Sequence, residues 1–143
     1  MIRFELVSLD GVKFSEDVYE IILPTLDGEI GVMPGHMPLI SAATHGVVSV
    51  RRKPSDKDDM MDHFAISGGV IEVADNVLRV LVDEADPADA ISEAEAQKAY
   101  ELAQKMKSEA KDQVSLEHAQ SLIDRHAVRL QVAGLKRRHR RQQ

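Results

Sequence analysis

The stretch VLRVLVDEADPADAISEAEA, residues 77–96, contains the point at which one structural pattern gives way to another. Its first six residues are apolar except for Arg79, a composition typical of a β-strand. Pro87 lacks a backbone N–H and is predicted to end the strand region. Ser92 and Glu95 then have the spacing of a capping box, in which the serine oxygen accepts from the first turn of a helix. We therefore predict β-structure before residue 87 and helix after it.

Residues 1–86 show the period of two that is typical of β-strands. Ile2, Phe4 and Leu6 alternate with charged residues, as in a strand that buries one face. Further β-rich runs lie at residues 18–23, 47–51, 64–66, 70–73 and 77–82. No helical pattern separates these runs, so the sequence favours an antiparallel sandwich or barrel over a parallel sheet.

The segments between the runs have the residues of tight turns. Asp10-Gly11 and Asp27-Gly28 predict hairpins because glycine takes positive φ without steric cost, and Asp75-Asn76 predicts a third. Residues 54–59 are polar and predict a hairpin tip. Ser67-Gly68-Gly69 indicates a bulge or a close approach of two backbones.

Residues 87–143 have the pattern of two helices joined by a short turn. Small and apolar residues recur every three or four positions, first at Ala96, Ala99, Ala103, Met106 and Ala110 and then at Leu116, Ala119, Ile123, Ala127 and Leu130. The second helix is predicted to begin after an N-cap at Ser115 and to end near Gly134. An alanine stripe buries little area, about 0.8 kcal/mol for each methyl-sized group. We expect a weakly held antiparallel hairpin that can move.

The predicted fold class is thus α+β, with an N-terminal antiparallel β-sandwich followed by a C-terminal antiparallel two-helix hairpin. We place the sandwich domain at residues 1–86 and the hairpin with its tail at residues 87–143. Charge divides at the same point. Residues 1–87 hold 16 acids and 7 bases, net −9, whereas residues 88–143 hold 8 acids and 11 bases, net +3.

Composition and motifs argue against catalysis. The chain has no cysteine, which suits the cytoplasm and excludes a disulfide framework or a thiolate metal site. Its six histidines show no metal-ligand spacing, and no phosphate loop or nucleophile motif is present, so neither metal nor cofactor is expected. A small hydrolase would lack a recognisable nucleophile and base. No apolar run approaches the roughly 20 residues that span a bilayer.

Two segments are candidate binding elements. The segment GEIGVMPGHMPL, residues 28–39 and here called the lobe, has three glycines and two prolines that fix its path. It is either a loop shaped for packing or a rigid surface that presents Glu29, Met33 and His36 to a partner. The basic tail has five bases, which are Lys136, Arg137, Arg138, Arg140 and Arg141. It lacks the interleaved aromatics of a nucleic-acid site, so it is either a solvated end or a dock for an acidic protein surface.

These residues resemble the epsilon subunit of bacterial F-type ATP synthase over essentially the whole chain. The most specific blocks are the lobe with GVV at residues 46–48, and ISGGVIEV at residues 66–73 with VLVD at residues 80–83. The resemblance implies a non-catalytic central-stalk subunit that binds the gamma subunit and the c-ring, peripheral to the cytoplasmic face of the plasma membrane through the complex. It implies that Glu29 faces the polar loops of the c-subunits, and that Met33 and His36 lie near the gamma and c-ring contacts.

The same resemblance implies a regulatory hairpin. When extended along gamma, its basic positions approach the catalytic beta subunits of the alpha/beta assembly and inhibit ATP hydrolysis, a role that fits the basic tail. Relatives that bind ATP have Ile-Asp-x-x-Arg-Ala entering the first helix, but this chain has ISEAEA at residues 91–96. Arg125 and Arg129 do match the family's paired basic positions on the second helix. Because only the two arginines on the second helix match the ATP-binding relatives, we expect weak or absent ATP binding.

An alternative from the residues alone is a free-standing β-sandwich adaptor whose helices form a dimerisation arm. The two hypotheses differ in stoichiometry, because a stalk subunit is a monomer bound to gamma.

Overall fold

In a computed structural model of the protein, residues 1–142 are described, and from residue 136 onward only the backbone is described. Within this range the chain forms strands first and helices last. The strands are β1 (Ile2–Ser8), β2 (Gly11–Val18), β3 (Glu20–Thr25), β4 (Gly28–Val32), β5 (Leu39–Ala43), β6 (Gly46–Arg51), β7 (Asp62–Ile66), β8 (Gly69–Ala74), β9 (Val77–Val82) and β10 (Ala85–Pro87). The helices are α1 (Glu93–Glu109) and α2 (Gln113–Gln142). The predicted α+β class is confirmed.

The described strands form one folded sheet in the order β10-β7-β6-β3-β5-β8-β9-β1-β2, with β4 added to β3. Almost all neighbours are antiparallel, as predicted. One pair departs, since β1 lies parallel to β9, with Phe4 opposite Leu78. The period of two fixes which face of a strand is buried but carries no information about the direction of its neighbour. The parallel pair was therefore invisible in the sequence.

The predicted turns are present. Asp75 and Asn76, the central residues of the β8–β9 turn, have φ of 51° and 60°, the left-handed backbone that a two-residue hairpin turn requires. Gly11 and Gly28 have φ of 125° and 113° and directly follow their turns, since they pair with Ser8 and Thr25 across the hairpins. At Gly69 the prediction of a close approach is also confirmed. A Cβ atom there would lie 2.0 Å from the Leu81 carbonyl oxygen, so only glycine fits.

The sandwich is held by an aliphatic core with a small aromatic cluster. Phe4, Leu6, Ile21 and Leu78 are fully buried, and the ring of Phe14 lies between those of Phe4 and Phe64, at centroid distances of 5.4 Å and 5.7 Å. Burial of such a side chain contributes about 2 kcal/mol. This core makes the sandwich a rigid platform for its surface loops.

The helices depart from the sequence prediction at four positions, all on α2 or at its start. Ser92 caps α1 as predicted and accepts from the Glu95 N–H at 3.3 Å. Ser115, however, is not the cap of α2. The Asp112 carboxylate accepts from the Ser115 N–H at 2.7 Å, and the hydrogen bond lowers the pKa of Asp112. The cap is three residues earlier because aspartate also caps helices well.

The predicted end of α2 near Gly134 is wrong, because α2 continues to Gln142. A glycine ends a helix where its φ becomes positive, and Gly134 is not among the described glycines with positive φ. Leu116, which is 36% exposed, and Ala127 are both exposed rather than part of the buried stripe. Ala119 is fully buried in the first half of α2, and Val132 and Ala133 are buried nearer its C-terminal end, where the helix meets the sandwich. The buried residues of α2 therefore do not form a single stripe.

The hairpin packs on the sandwich through a second, smaller apolar cluster. Ala65 on β7 meets Val132 and Ala133 on α2, together with Ile91 and Ala96 around the start of α1. This cluster is separate from the sandwich core. In this structure the hairpin is folded down on β6 and β7, and its apolar attachment is small.

Candidate partner-binding surfaces

The lobe forms a rigid corner of the sandwich. The Asn76 side-chain oxygen accepts from the Gly35 N–H at 2.9 Å, and the Asn76 amide donates to the Met1 carbonyl at 2.8 Å. The turn itself closes through the His36 N–H, which donates to the Met33 carbonyl at 3.1 Å. Asn76 thus ties the lobe to the β8–β9 turn and to the start of the chain, which fixes the lobe without burying it.

The three predicted site residues of the lobe are exposed or half-buried. Met33 and His36 lie on one turn, and the His36 ring Nδ1 is 2.6 Å from the Met37 carbonyl oxygen. Glu29 lies separately on β4, opposite Pro24 of β3, and is exposed. Met33 is 43% exposed and Met37 is 72% exposed. The lobe therefore presents adaptable apolar side chains on one turn and a carboxylate on the adjoining hairpin.

The outer face of the sheet has a surface that the sequence prediction missed. Its residues lie in register across five neighbouring strands and are here called the apolar row. They are Val12 on β2, Val7 on β1, Leu81 on β9, Val70 on β8 and Ala42 on β5. Adjacent strands lie about 4.8 Å apart, so the row is roughly 19 Å long.

The apolar row is open to solvent, because α2 packs on β6 and β7 instead. Val12, Val70 and Leu81 are 66%, 48% and 45% exposed. Ile40 lies on the same outer face of β5 and is 78% exposed. A contiguous exposed apolar surface of this kind is a candidate site for another protein. The signal in the sequence was the unbroken run Val80-Leu81-Val82, in which the middle residue must face outward.

A row of polar residues runs alongside the apolar row, two residues away along each strand. Here Glu72 lies opposite Arg79, and Arg79 in turn lies opposite Glu5. The Arg79 guanidinium and the Glu5 carboxylate are 3.1 Å apart. An apolar strip bordered by fixed charges has the anatomy of a protein interface, in which the polar border sets the register.

The interface between α2 and the sandwich contains the two arginines that the sequence singled out. Arg125 forms an ion pair with Glu84, and Arg129 forms one with Asp86. Glu84 is held in place through its backbone, since its N–H donates to the Ser67 hydroxyl at 2.8 Å. We call these two pairs the latch. The sequence placed Arg125 and Arg129 correctly on the second helix but assigned them no carboxylate partners.

His126 lies between the two arginines of the latch. Its Nδ1 is buried and has no hydrogen-bond partner among the described residues. Burial lowers the pKa of His126, and the nearby Arg129 and Arg125 lower it further, while Glu84 acts in the opposite direction. These effects favour the neutral form of the docked ring.

The basic tail, Lys136, Arg137, Arg138, Arg140 and Arg141, has side chains that lie outside the described residues. Its backbone continues α2. Among the residues whose side chains are described, no three histidine or acidic side chains gather as metal ligands would. Within the same part of the chain, neither helix combines the length and the apolar character needed to cross a bilayer.

A β-sandwich with a helical hairpin docked on its side defines a two-part α+β class of protein. Residues 1–88 match the family described as "ATP synthase, Delta/Epsilon chain, beta-sandwich domain". The chain belongs to the ATP synthase epsilon chain family.

Similarity to individual proteins covers the helices as well. The chain is 33% identical over 136 residues to the ATP synthase epsilon chain of Herpetosiphon aurantiacus, covering 95% of this chain and 96% of that one. It is 34% identical over 133 residues to the epsilon chain of Nitratidesulfovibrio vulgaris, covering 93% and 96%. A solved chain in the Euglena gracilis mitochondrial ATP synthase assembly of OSCP, F1 and c-ring has a similar fold. Its TM-score is 0.77 at 27% identity, covering 92% of this chain and 80% of that one.

Proposed function

We propose that this chain is the epsilon subunit of a proton-translocating F-type ATP synthase, in which it is a non-catalytic component of the central stalk. Its role is to couple rotation of the c-ring to ATP synthesis through gamma. Similarity to bacterial epsilon chains along more than nine-tenths of both chains supports this role. It favours the stalk over the alternative of a free-standing adaptor with a dimerisation arm.

The apolar row is the observation that carries the proposal, and we assign it to gamma. A rotating shaft must transmit torque, so its subunits need an interface that is rigid and well packed. Leu81 and Val70 extend from paired strands whose inner faces are filled by fully buried residues such as Ile71 and Val80. The surface cannot yield without disrupting the core, and it is already free of the hairpin.

The lobe is assigned to the c-ring. Glu29, Met33 and His36 lie on segments that are fixed by β3 and by Asn76 and that remain accessible. A carboxylate with adjacent methionines suits a mixed polar and apolar contact with the loops of the c-subunits. Because the lobe and the apolar row belong to one sandwich, a force applied at the first is passed to the second.

The hairpin, residues 87–143, is assigned to regulation. Released from the sandwich, it would bring the basic tail to acidic segments of the catalytic subunits and inhibit ATP hydrolysis. Two observations support a releasable element. Its apolar cluster is small and separate from the sandwich core, and the rest of its attachment is the half-exposed latch.

We also propose that ATP binds weakly or not at all. Arg125 and Arg129, the two positions that match nucleotide-binding relatives, are already neutralised by Glu84 and Asp86. A phosphate would have to displace both carboxylates. Glu95 stands where those relatives carry arginine, so it would repel the nucleotide rather than attract it.

The proposed location is the cytoplasmic face of the plasma membrane, where the chain is held peripherally through the complex. No direct contact with lipid and no nucleic acid partner is part of the proposal.

Gamma binding tests the assignment directly. We expect Leu81→Asp to weaken co-purification with gamma, because the substitution leaves a carboxylate without a partner in an apolar interface. Loss of a central interface residue costs about 2 kcal/mol or more of binding free energy, which raises the dissociation constant roughly 30-fold. Met60→Asp is the matched control, since Met60 is 55% exposed and lies far from the row in sequence, on the turn before β7. Equal gamma affinity for the two folded variants would refute the assignment.

A further inference from the structure

A titratable side chain that the proposed function does not use, His126, lies beside the two ion pairs of the latch. His126 lies on α2 between Arg125 and Arg129, close enough to Glu84 of the sandwich to be affected by its charge. Neutral imidazole has one N–H donor and one acceptor nitrogen, whereas imidazolium has two donors. With Nδ1 buried and without a partner, the docked ring can keep its proton on Nε2 at little cost.

Protonation changes this arrangement. The second proton would have to occupy Nδ1, which has no described acceptor, and a buried donor without an acceptor is costly. The new positive charge would also lie next to two guanidiniums. We propose that protonation of His126 releases α2 from the sandwich, so that the latch makes hairpin docking sensitive to pH in the mildly acidic range. This inference rests on the proposed function only in regarding the hairpin as the mobile part.

The charges around His126 set the direction of the effect. Among the described residues, Arg129 and Arg125 on α2 oppose its protonation, and Glu84 on the sandwich side favours it. Glu84 is paired with Arg125, and Asp86 is paired with Arg129, so neither carboxylate is free to pair with a protonated imidazole. The cleft beside the latch contains three further titratable groups, which are His45, Asp83 and His118.

The sign follows from linkage. The pKa of His126 is lower in the docked state than in solvent, where histidine titrates near 6.5. The docked state therefore binds fewer protons. Its stabilisation by the neutral ring is complete above about pH 6.5 and is lost as the pH falls below that value. In this window the undocked-to-docked ratio rises by up to about tenfold for each pH unit. Carboxylates as a class titrate near pH 4, so their effect comes later.

The test is a distance measurement on the full chain. Because the sequence has no cysteine, Leu9→Cys on the sandwich and Val114→Cys on the helical turn give one clean pair of fluorophore sites. Both positions are highly exposed, at 83% and 78%. Single-molecule energy transfer between them reports docked and undocked molecules. Measurements at pH 7.5, 6.5 and 5.5 are made in the parent and in a Val132→Ala background, which weakens the apolar cluster and raises the undocked population into range while leaving both ion pairs intact.

We expect the undocked-to-docked ratio to increase by up to about fivefold between pH 6.5 and 5.5, because histidine in solvent is already half protonated near pH 6.5. His126→Gln should abolish that increase. His118→Gln is the matched control on the same helix and should retain it. An unchanged pH response in His126→Gln, a response lost equally in His118→Gln, or no undocking at any pH in the Val132→Ala background would each overturn the inference. None of these results depends on gamma binding, so failure of the latch and failure of the stalk assignment are distinguishable.

Discussion

Replacing Val132 with alanine probes whether the hairpin is a separable unit. Val132 is fully buried in the small cluster between α2 and β7 and does not belong to the sandwich core. The substitution removes two methyl-sized groups, worth about 0.8 kcal/mol each, and leaves a small cavity. Docking should weaken by about 2 kcal/mol. Since 1.4 kcal/mol corresponds to a factor of ten, the undocked population should rise roughly 30-fold.

Amide hydrogen exchange followed by mass spectrometry measures this effect segment by segment. We expect peptides from the lower part of α2 to exchange about 30-fold faster in Val132→Ala, while peptides from β8 and β9 keep their protection. Val50→Ala is the matched control, because Val50 is equally buried but belongs to the sandwich core. That variant should lower the protection of the strands. Parallel loss of protection in α2 and in β8–β9 for Val132→Ala would show one cooperative unit and refute the reasoning.

Two further predictions concern the sandwich and the tail. Gly69→Ala should destabilise the sandwich by at least about 2 kcal/mol in thermal unfolding, because the new Cβ would lie 2.0 Å from the Leu81 carbonyl oxygen. Gly31→Ala is the control, since a Cβ at that position would lie in open space. Equal stability of the two variants would contradict the geometry. Replacing the five tail bases, Lys136, Arg137, Arg138, Arg140 and Arg141, with alanine should relieve inhibition of ATP hydrolysis in the reassembled complex while leaving assembly intact. Replacing Lys98, Lys105 and Lys111 on and after α1 is the control, and unchanged hydrolysis in the tail variant would count against the tail's role.

Local features of the fold were predictable because local chemistry determines them. Ser92 begins α1 since its hydroxyl can reach the Glu95 N–H whatever the rest of the chain does. Asp75 and Asn76 form a turn because their side chains tolerate positive φ. Each of these features depends on residues within four positions of one another, so the sequence alone was sufficient.

Features that depend on distant partners were not predictable in the same way. Arg129 and Asp86 are 43 positions apart, and only the docking of α2 brings them together. The apolar row requires the register of five strands, including the parallel β1–β9 pair that no turn residue specifies. The sequence predicts a helix end near Gly134, but a glycine costs a helix only about 1 kcal/mol, and the helical residues on both sides of it offset that cost.

The binding residues divide along the same line. Glu29, Met33 and His36 were chosen for the unusual glycine and proline content of the lobe, and the structure places Met33 and His36 on one turn and Glu29 on the neighbouring strand. Their contact with the c-ring remains a prediction. His126 carried no signal in the sequence, because its importance comes from a buried nitrogen without a partner.

Site-specific photo-cross-linking in membranes that contain the assembled synthase tests the central claim most directly. A photoreactive residue is placed at Glu29 in one preparation and at Leu81 in another. If one rigid sandwich joins the ring to the shaft, position 29 will cross-link to c-subunits and position 81 to gamma. Cross-linking of both positions to the same subunit, or of neither to c or gamma, would contradict the account.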